Sequence, residues 1–412
     1  MSVRFRPRGL QNSCTTVFFL YDCEMKKGQV NHSGLRTWIE VDRGAVAKNY
    51  KIFRGLISKK TKLMAVVKSN AYGHGLVDFS REAVNLGADF LGVDSIVEAL
   101  ALRREGITLP ILVLGYTLPE KISEAAAQDI SITVSTFETL RYIARNTKLP
   151  KPLKIHIKVD TGMHRQGFML NDIKKVIKNF QFPTRPYRHG RISNFQTEGL
   201  YTHFASAKNP AFPKDTKDQL AQFRKWIAAF RDAGLQPIVH AAATAGAILF
   251  PDTHFDMVRI GIGLYGLWPA KETEAFAHNQ ISLYPALSWK TIVTEIKKLK
   301  KGDRVGYDFT DELRRDGAVG ICPIGYWHGY PRALSSIGRV LVGGKEARVI
   351  GRVSMDMIAI DLTDIPRATV GDEVVLIGKS GAVSAPELGR LSDTSSYEII
   401  TRLNPLIKRI YL

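Results

Sequence analysis

Cysteine is scarce in this chain. Only Cys14, Cys23 and Cys322 occur among 412 residues, and so few cysteines cannot build a disulfide framework. No spacing of cysteine and histidine matches a zinc site. We therefore expect free thiols, no metal site, and a fold that does not depend on disulfides.

Long hydrophobic runs are also missing. No apolar stretch reaches the roughly 20 residues that cross a bilayer. The apolar run at residues 15–20 is the nearest match to a secretion signal, but it is short, lacks a clean cleavage site and is followed by charges. The sequence predicts a cytoplasmic protein.

Acidic residues are few, with 39 against 58 basic residues and a formal net charge of +19. Such a charge first suggests a nucleic acid or another polyanion as partner. The basic residues are nevertheless dispersed in short groups, such as residues 185–191 and 297–301, with no recognisable nucleic-acid-binding module. We expect a generally basic surface without a specific nucleic-acid or membrane partner, and we keep polyanion binding as an alternative function.

A regular alternation of strands and helices is what the sequence does contain. The predicted strands are residues 63–68, 90–94, 111–114, 132–134, 153–160, 199–204, 238–243 and 257–262. Amphipathic segments between them are residues 96–104, 118–127, 137–145, 173–180 and 218–233. Eight such alternations indicate an α/β fold in which a parallel sheet closes into a TIM-like (β/α)8 barrel.

The pattern changes after Trp268. Short strand-like segments follow, separated by glycine, aspartate and lysine turns, at residues 286–296, 317–322, 340–342, 347–351, 357–362 and 373–378. We predict three regions: a flexible N-terminal extension at residues 1–34, a barrel at 35–270, and a smaller, mostly β domain at 271–412. The extension could also reflect an overlong start, with Met25 as the initiator.

Chemically active side chains follow the ends of the predicted barrel strands. Lys68 ends the first strand, residues 160–167 follow the fifth, His203 lies at the end of the sixth, Thr244 follows the seventh, and Arg259 lies within the eighth. The carboxyl ends of barrel strands share one rim, where active sites lie. Because burial and neighbouring cations favour a neutral, nucleophilic amine, Lys68 is a candidate Schiff-base lysine.

The glycines at residues 261–266 match the GxGxxG dinucleotide motif, but the match lies at the eighth strand. The segment that follows is apolar, turn-like and ends at Pro269, so no helix opens there. We reject a dinucleotide site. Loops after the last two strands of barrels commonly bind phosphate, so Thr244 and the backbone amides of Gly261 and Ile262 form a predicted phosphate cradle.

Residues 66–75, VVKSNAYGHG, closely resemble the cofactor-lysine motif of the pyridoxal-phosphate-dependent alanine racemases, and the resemblance extends over residues 35–412. It implies that Lys68 binds pyridoxal phosphate covalently and serves as one catalytic base. Tyr72 and Tyr397 match tyrosines that bind the cofactor phosphate.

Other positions depart from the family pattern around the phosphate and the entrance. Thr244 replaces the usual phosphate-binding serine and keeps the hydroxyl, whereas Ala243 stands where asparagine is common. Lys208 stands where an aspartate is usual near the entrance and His328 replaces another, and the loss of these acidic groups would make the entrance more positive.

The second base implied by the resemblance is Tyr307. Two bases on opposite faces of the substrate suffice for both directions of racemisation. His203 and Arg259 match a chain that supports this tyrosine, and Arg259 would face the pyridine nitrogen. Because a guanidinium keeps its proton, that nitrogen would stay unprotonated and the cofactor would withdraw electrons less strongly.

Substrate recognition is also implied by the resemblance. Arg165 would contact the substrate carboxylate and the cofactor's phenolic oxygen, and Met355 would bind the carboxylate through its backbone. Lys158 matches a lysine that is often carbamylated, which would turn a cation near Arg165 into an anion. The predicted entrance residues are Tyr326, Arg332 and Arg352.

The sequence thus predicts a pyridoxal-phosphate-dependent alanine racemase. The resemblance further implies a homodimer in which Tyr307 and Met355 complete the partner's site, and D-alanine that serves peptidoglycan synthesis. One alternative is a racemase of serine or a broader set of amino acids. The other is a cofactor-binding barrel without turnover, which would have no use for Tyr307.

Overall fold

The computed structural model describes residues 34–145, 149–181 and 195–412. The N-terminal extension up to residue 33, with Cys14, Cys23 and Met25, and the basic group at 185–191 lie outside the described residues. Cys322 is a buried free thiol. Within the described ranges, no helix is both long and hydrophobic enough to cross a bilayer.

Eight parallel strands close into a barrel, which confirms the predicted fold class. The first described strand, β1 (Thr37–Val41), lies outside this barrel. The barrel strands are β2 (Lys62–Val66), β3 (Phe90–Val93), β4 (Ile111–Val113), β5 (Ile130–Val134), β6 (Leu153–Lys158), β7 (Phe195–Tyr201), β8 (Ile238–Ala243) and β9 (Met257–Ile260). Every residue of β3, β4 and β5 is buried, as expected for strands covered on both faces.

Helices alternate with these strands along the chain. They are Arg43–Leu56, Leu76–Asn85, Ile96–Arg104, Ile122–Ala127, Phe137–Arg145, Ile173–Gln181, Pro213–Asp232 and Thr244–Leu249. Capping side chains and a proline determine where several of these helices begin. Asp42 and Ser95 accept backbone N–H groups at the first turn of the helices that follow them, and Pro213 occupies the first position of its helix.

The second region is mostly β, as predicted, and is built on a nine-stranded sheet. Its strands after the barrel are β10 (Leu287–Ile292), β11 (Glu295–Leu299), β14 (Gly317–Cys322), β15 (Arg339–Val342), β16 (Lys345–Ile350), β17 (Ile358–Asp361), β18 (Glu373–Ile377) and β19 (Lys408–Tyr411), while β12 (Arg304–Val305) and β13 (Asp311–Glu312) pair separately. Three short helices, Lys271–Ala277, Ala385–Leu391 and Ser396–Thr401, were not predicted, because six or seven residues give too little periodicity.

Strand β1 connects the two regions. It falls in the range predicted for the barrel, yet it pairs antiparallel with β10 and parallel with β19, next to the edge of the nine-stranded sheet. Its last four residues are buried. One continuous hydrophobic core therefore includes Ile39 of β1, Leu63 of β2 and Trp289 of β10.

Candidate active site

A cavity of about 570 Å³ lies where the carboxyl ends of the barrel strands meet. It is large enough for a small cofactor together with a substrate. Ten of the predicted site residues line it: Lys68, Tyr72, Lys158, Arg165, His203, Thr244, Arg259, Gly261, Ile262 and Tyr397.

Lys68 follows β2 and begins a short turn with unusual backbone geometry. The first predicted barrel strand includes Lys68, but β2 ends at Val66. The lysine turn (Lys68–Tyr72) is helical, with a left-handed backbone from Ser69 onward. Four successive non-glycine residues with positive φ are costly, at about 1–2 kcal/mol each. Glu98 stabilises the turn by accepting the Ser69 N–H, at 2.7 Å. Such strain concentrates at functional sites, and here it directs the lysine amine into the cavity.

Gly73 follows the lysine turn and packs against the helix Ser396–Thr401. Its φ is +85°, and a Cβ there would lie 2.0 Å from the carbonyl oxygen of Ile400. We expect Gly73→Ala to lower the free energy of unfolding by about 2–4 kcal/mol, because left-handed alanine costs about 1 kcal/mol and the backbone must also shift. Chemical denaturation measures this loss.

Gly106 is the matched control for that substitution. Its φ is +79°, but nothing lies within 4 Å of the added Cβ. Gly106→Ala should therefore cost only the conformational part, about 1 kcal/mol. Equal losses in the two variants would contradict a role for the contact with Ile400.

A cradle of backbone amides and hydroxyls lies beside the lysine. The Thr244 hydroxyl accepts the N–H groups of Gly261, at 3.2 Å, and Gly263, at 3.4 Å. A Cβ at Gly261 would lie 2.6 Å from the Tyr72 hydroxyl, so only glycine lets this tyrosine reach the cradle. Burial raises the pKa of Tyr72 to about 12, which keeps its hydroxyl as a hydrogen-bond donor.

Arg259 is buried on β9 and is held by several hydrogen bonds. It is 4% exposed and donates to the carbonyls of Thr202, at 2.9 Å, and Ala241, at 2.8 Å. It also donates to His240 Nδ1, at 3.0 Å. Burial lowers the pKa of Arg259 to about 10, so the guanidinium remains charged at neutral pH.

His203 lies next to Arg259 and is neutral. Its Nδ1 is 3.2 Å from Arg259 Nη2. Burial first, and then the charges of Arg259, Arg165 and two lysines, lower the pKa of His203 to about 3. Because the guanidinium can only donate, Nδ1 is the acceptor and Nε2 carries the hydrogen. His203 is therefore a fixed N–H donor at the cavity.

Lys158 is a buried cation whose surroundings disfavour its charge. Burial, together with Arg165 and Arg259, lowers the pKa of Lys158 to about 8. Its Nζ donates to Gln166 Oε1, at 2.9 Å. The loop that carries Arg165 is held by Asp160, which accepts four backbone N–H groups from residues 162–165. Burial raises the pKa of Asp160, but these bonds outweigh it and the net pKa is lowered.

The remaining predicted site residues do not line this cavity. The side chain of Tyr307 is 69% exposed and that of Met355 is 55% exposed. Tyr326 and Arg332 line a separate cavity of about 730 Å³, and Arg352 Nε lies 3.0 Å from Asp308 Oδ2. A single chain thus brings together Lys68 and the cradle, but not the two predicted bases.

Two of the substituted positions lie at the cavity. Ala243 and Lys208 both line it, and Ala243 offers no hydrogen-bonding group. His328 is buried elsewhere, where its Nδ1 accepts the Gly325 N–H at 3.2 Å.

Several polar residues around the site were missed by sequence reasoning. His156, Glu198 and His240 lie within barrel strands, and Asp94 Oδ1 pairs with Lys68 Nζ at 3.3 Å. A histidine inside a predicted barrel strand is the signal that would have identified His156 and His240, since buried polar groups require partners. Glu198 gave no such signal, because it lies outside the strand predicted at residues 199–204.

The chain matches two family models that together span most of its length. Residues 41–269 match the N-terminal domain of alanine racemase and residues 286–411 match its C-terminal domain. The chain belongs to the alanine racemase family. Membership confirms the predicted family and the prediction of an amino-acid racemase.

Curated relatives and solved structures agree with this assignment. The chain is 39% identical to an alanine racemase of Methanococcus maripaludis over 384 residues, covering 91% of this chain and 98% of the relative. It is 39% identical to alanine racemase 2 of Bacillus subtilis, covering 91% and 94%. The alanine racemase of Bacillus anthracis with bound L-Ala-P superposes with a TM-score of 0.83 at 35% identity, covering 92% of this chain and 95% of that one.

Proposed function

We propose that this chain interconverts L-alanine and D-alanine with pyridoxal phosphate bound at Lys68, and that its D-alanine serves peptidoglycan synthesis. The observation that carries the proposal is the convergence of a lysine amine, a cradle of N–H and hydroxyl groups and a buried arginine on one cavity. Membership of the alanine racemase family supports alanine as substrate.

The residues around the cavity fit pyridoxal phosphate. Lys68, Arg165 and Arg259 give the cavity positive charge, which suits a phosphate and a carboxylate. The phosphate would be held by Tyr72, Tyr397, the Thr244 hydroxyl and the amides of Gly261 and Ile262. A Cβ at Gly261 would fill the space beside the Tyr72 hydroxyl, so the glycine leaves room for the phosphate to approach both residues. When bound, pyridoxal phosphate withdraws electrons from the substrate's Cα and makes its hydrogen acidic.

Lys68 and Tyr307 are the proposed bases. Lys68 removes the Cα hydrogen of one enantiomer and Tyr307 removes that of the other, from the opposite face. The neutral His203, with its hydrogen on Nε2, is suited to donate to the Tyr307 oxygen and so to stabilise the phenolate that acts as a base. Arg165 would bind the substrate carboxylate together with the Met355 backbone.

Completion of the site requires a second copy of the chain. Tyr307 and Met355 are exposed, and so are Phe309, Tyr326 and Trp327. The backbone N–H groups of Tyr326 and Trp327 donate to residues 354 and 355, and Arg352 pairs with Asp308, so these segments lie side by side and present an aromatic and apolar surface. Exposed apolar surfaces of this kind mark protein–protein interfaces. In the proposed homodimer this surface covers the partner's cavity, where Tyr307 supplies the second base and Tyr326, Arg332 and Arg352 line the entrance.

Lys158 is proposed to be carbamylated. Its neutral amine would attack CO₂, form an N–C bond and release a proton, giving an anion that pairs with Arg165. Because the pKa is lowered to about 8, a large part of the amine is neutral at mildly alkaline pH. We expect a protein-bound ¹³C carbamate signal after incubation with labelled bicarbonate, rising as the pH increases through about 8.

Lys158→Arg is the control for this signal, because a guanidinium keeps the positive charge but cannot be carbamylated in this way. The resonance should disappear in that variant. A wild-type protein without the resonance at any pH would contradict the proposal.

One assay tests the function as a whole. The purified full-length chain with pyridoxal phosphate is incubated with single L-amino acids, and the products are separated by chiral chromatography. Alanine should be inverted fastest, because the entrance tyrosines leave room for a small side chain. Faster inversion of serine would favour the serine alternative, and cofactor binding without inversion of any amino acid would favour the barrel without turnover.

A further inference from the structure

A line of buried hydrogen bonds leads from Arg259 away from the cavity. Arg259 Nη1 lies 3.0 Å from His240 Nδ1, and His240 Nε2 lies 2.9 Å from His156 Nδ1. His156 Nε2 lies 3.0 Å from Glu198 Oε2. The two histidines are fully buried, and neither they nor Glu198 line the cavity. These bonds, here called the barrel relay, link strands β6, β7, β8 and β9.

The end groups determine where each hydrogen lies. A guanidinium only donates, so His240 Nδ1 must accept and Nε2 must carry the hydrogen. His240 Nε2–H then donates to His156 Nδ1, which leaves His156 Nε2–H to donate to the Glu198 carboxylate. Any other distribution of hydrogens would set two donors or two acceptors against each other at one bond. Burial and Arg259 lower the pKa of His240, in accord with its neutral form.

The barrel backbone is shaped around this relay. The register of β6 against β7 shifts at His156, and that of β8 against β9 shifts after His240. Such irregularities redirect side chains next to active sites. A Cβ at Gly199 would lie 2.0 Å from His156 Nδ1, so the glycine makes room for the ring. Tyr201 stacks on His240, with ring centroids 4.7 Å apart.

Glu198 forms the anionic end of the relay. It accepts a second hydrogen bond from the Ser131 hydroxyl. Burial raises its pKa, but the bonds from His156 and Ser131 outweigh burial and the net pKa of Glu198 is lowered. The Glu198 carboxylate faces the N–H end of the histidine pair, and the Arg259 guanidinium faces the end with the free lone pair. Both charges therefore stabilise the same placement of hydrogens on the two rings.

The relay also limits what Arg259 can offer to a ligand. Arg259 Nη2 is occupied by Thr202, Ala241 and His203, and one hydrogen of Nη1 by His240. The guanidinium has five N–H groups, so the second Nη1 hydrogen and the Nε hydrogen remain. A His240 with its hydrogen on Nδ1 would point that hydrogen at Arg259 Nη1 and displace the guanidinium.

We propose that Glu198 is a positioning residue that acts through His156 and His240 to fix the orientation of Arg259 at the cavity. The part of this proposal that concerns racemisation rests on the proposed function, because only there does Arg259 meet the cofactor. The part that concerns the positions of the hydrogens in the relay is independent of the proposed function. Glu198 itself touches neither the cavity nor the lysine.

The test combines ¹⁵N NMR of imidazole-labelled, cofactor-loaded protein with kinetics. In the wild type, both His156 and His240 should show a protonated Nε2 and an unprotonated Nδ1. Glu198→Leu should give His156 with its hydrogen on either ring nitrogen, and it should shift the absorbance band of the bound cofactor. It should also lower kcat for alanine about 10-fold, which is the size of effect seen when residues that orient the ligands of a metal are replaced. Glu198→Gln keeps an acceptor oxygen and should retain the wild-type hydrogens and most of the activity.

Thr133→Val is the matched control inside the same barrel. It removes the bonds of Thr133 to Val113 O and Tyr201 Oη but none of the hydrogen bonds of the relay, and should leave the hydrogens of both histidines on Nε2. A hydrogen on Nδ1 of either histidine in the wild type would overturn the proposal, even if Glu198→Leu fails to fold. Loss of activity in Glu198→Leu with unchanged histidine signals and absorbance would also overturn it. Failure of racemisation in the wild type, with the predicted histidine signals present, would instead count against the proposed function.

Discussion

Replacement of Lys68 by alanine is expected to reduce racemisation of alanine by about 10⁴-fold or more, because in the proposed mechanism this one residue supplies both the covalent link to the cofactor and one base. The lysine turn directs the Lys68 amine into the cavity, where a carboxylate of Asp94 lies 3.3 Å away. The visible absorbance of the covalently held cofactor should be lost together with the activity.

Lys62→Gln serves as the control for Lys68→Ala. Lys62 begins the same strand, β2, at the end away from the cavity, and its amine lies over the ring of Phe90. It should keep both the absorbance and the activity. Lys158 and Lys208 also line the cavity, so a Lys68→Ala protein with near wild-type turnover would mean that another amine is the functional one.

Replacement of Tyr307 by phenylalanine is expected to lower kcat by about 10²–10⁴-fold while leaving one half of the reaction intact. Only the phenolic oxygen is lost, so under the proposed mechanism Lys68 should still remove the Cα hydrogen from the enantiomer it acts on. In D₂O, we therefore expect that enantiomer to exchange its Cα hydrogen with solvent and the other enantiomer to exchange it hardly at all. Exchange followed by NMR measures this asymmetry.

Phe309→Leu is the control for Tyr307→Phe, because Phe309 is exposed on the same turn but has no ionisable group. It should not produce the asymmetry in exchange. Symmetric exchange of both enantiomers by Tyr307→Phe would remove Tyr307 from the proposed mechanism.

A mixing experiment connects the two substitutions. If Lys68 and Tyr307 of one site come from different subunits, a heterodimer of Lys68→Ala and Tyr307→Phe chains contains one intact site and one site with both changes. Random reassortment should then restore about a quarter of the wild-type activity from two inactive proteins. No recovery after verified exchange of subunits would contradict the shared site.

The barrel could be predicted closely because each strand carries its own signal. Strand β8 coincides with its prediction, and β3, β4 and β5 differ from theirs by at most two residues. A fully buried strand between amphipathic helices is a local pattern. Strand β1 was missed because nothing in five residues reveals that they pair with β10, some 250 residues later.

The candidate site, like the fold, could be predicted from the sequence only in part. Lys68, His203, Thr244 and Arg259 were predicted to meet because the carboxyl ends of barrel strands share one rim, and all four line the cavity. The left-handed lysine turn was not predicted, because its conformation depends on contacts with Glu98 and the helix after Gly73.

The family, the alternation that closes the barrel, and the candidate catalytic residues could all be read from the chain alone, since they depend on residue type and spacing. The lowered pKa values of Lys158 and His203, the exposure of Tyr307, and the barrel relay from Arg259 to Glu198 emerge only from the folded chain. These properties depend on burial and on distances between residues far apart in the chain, and neither is set until the strands have packed.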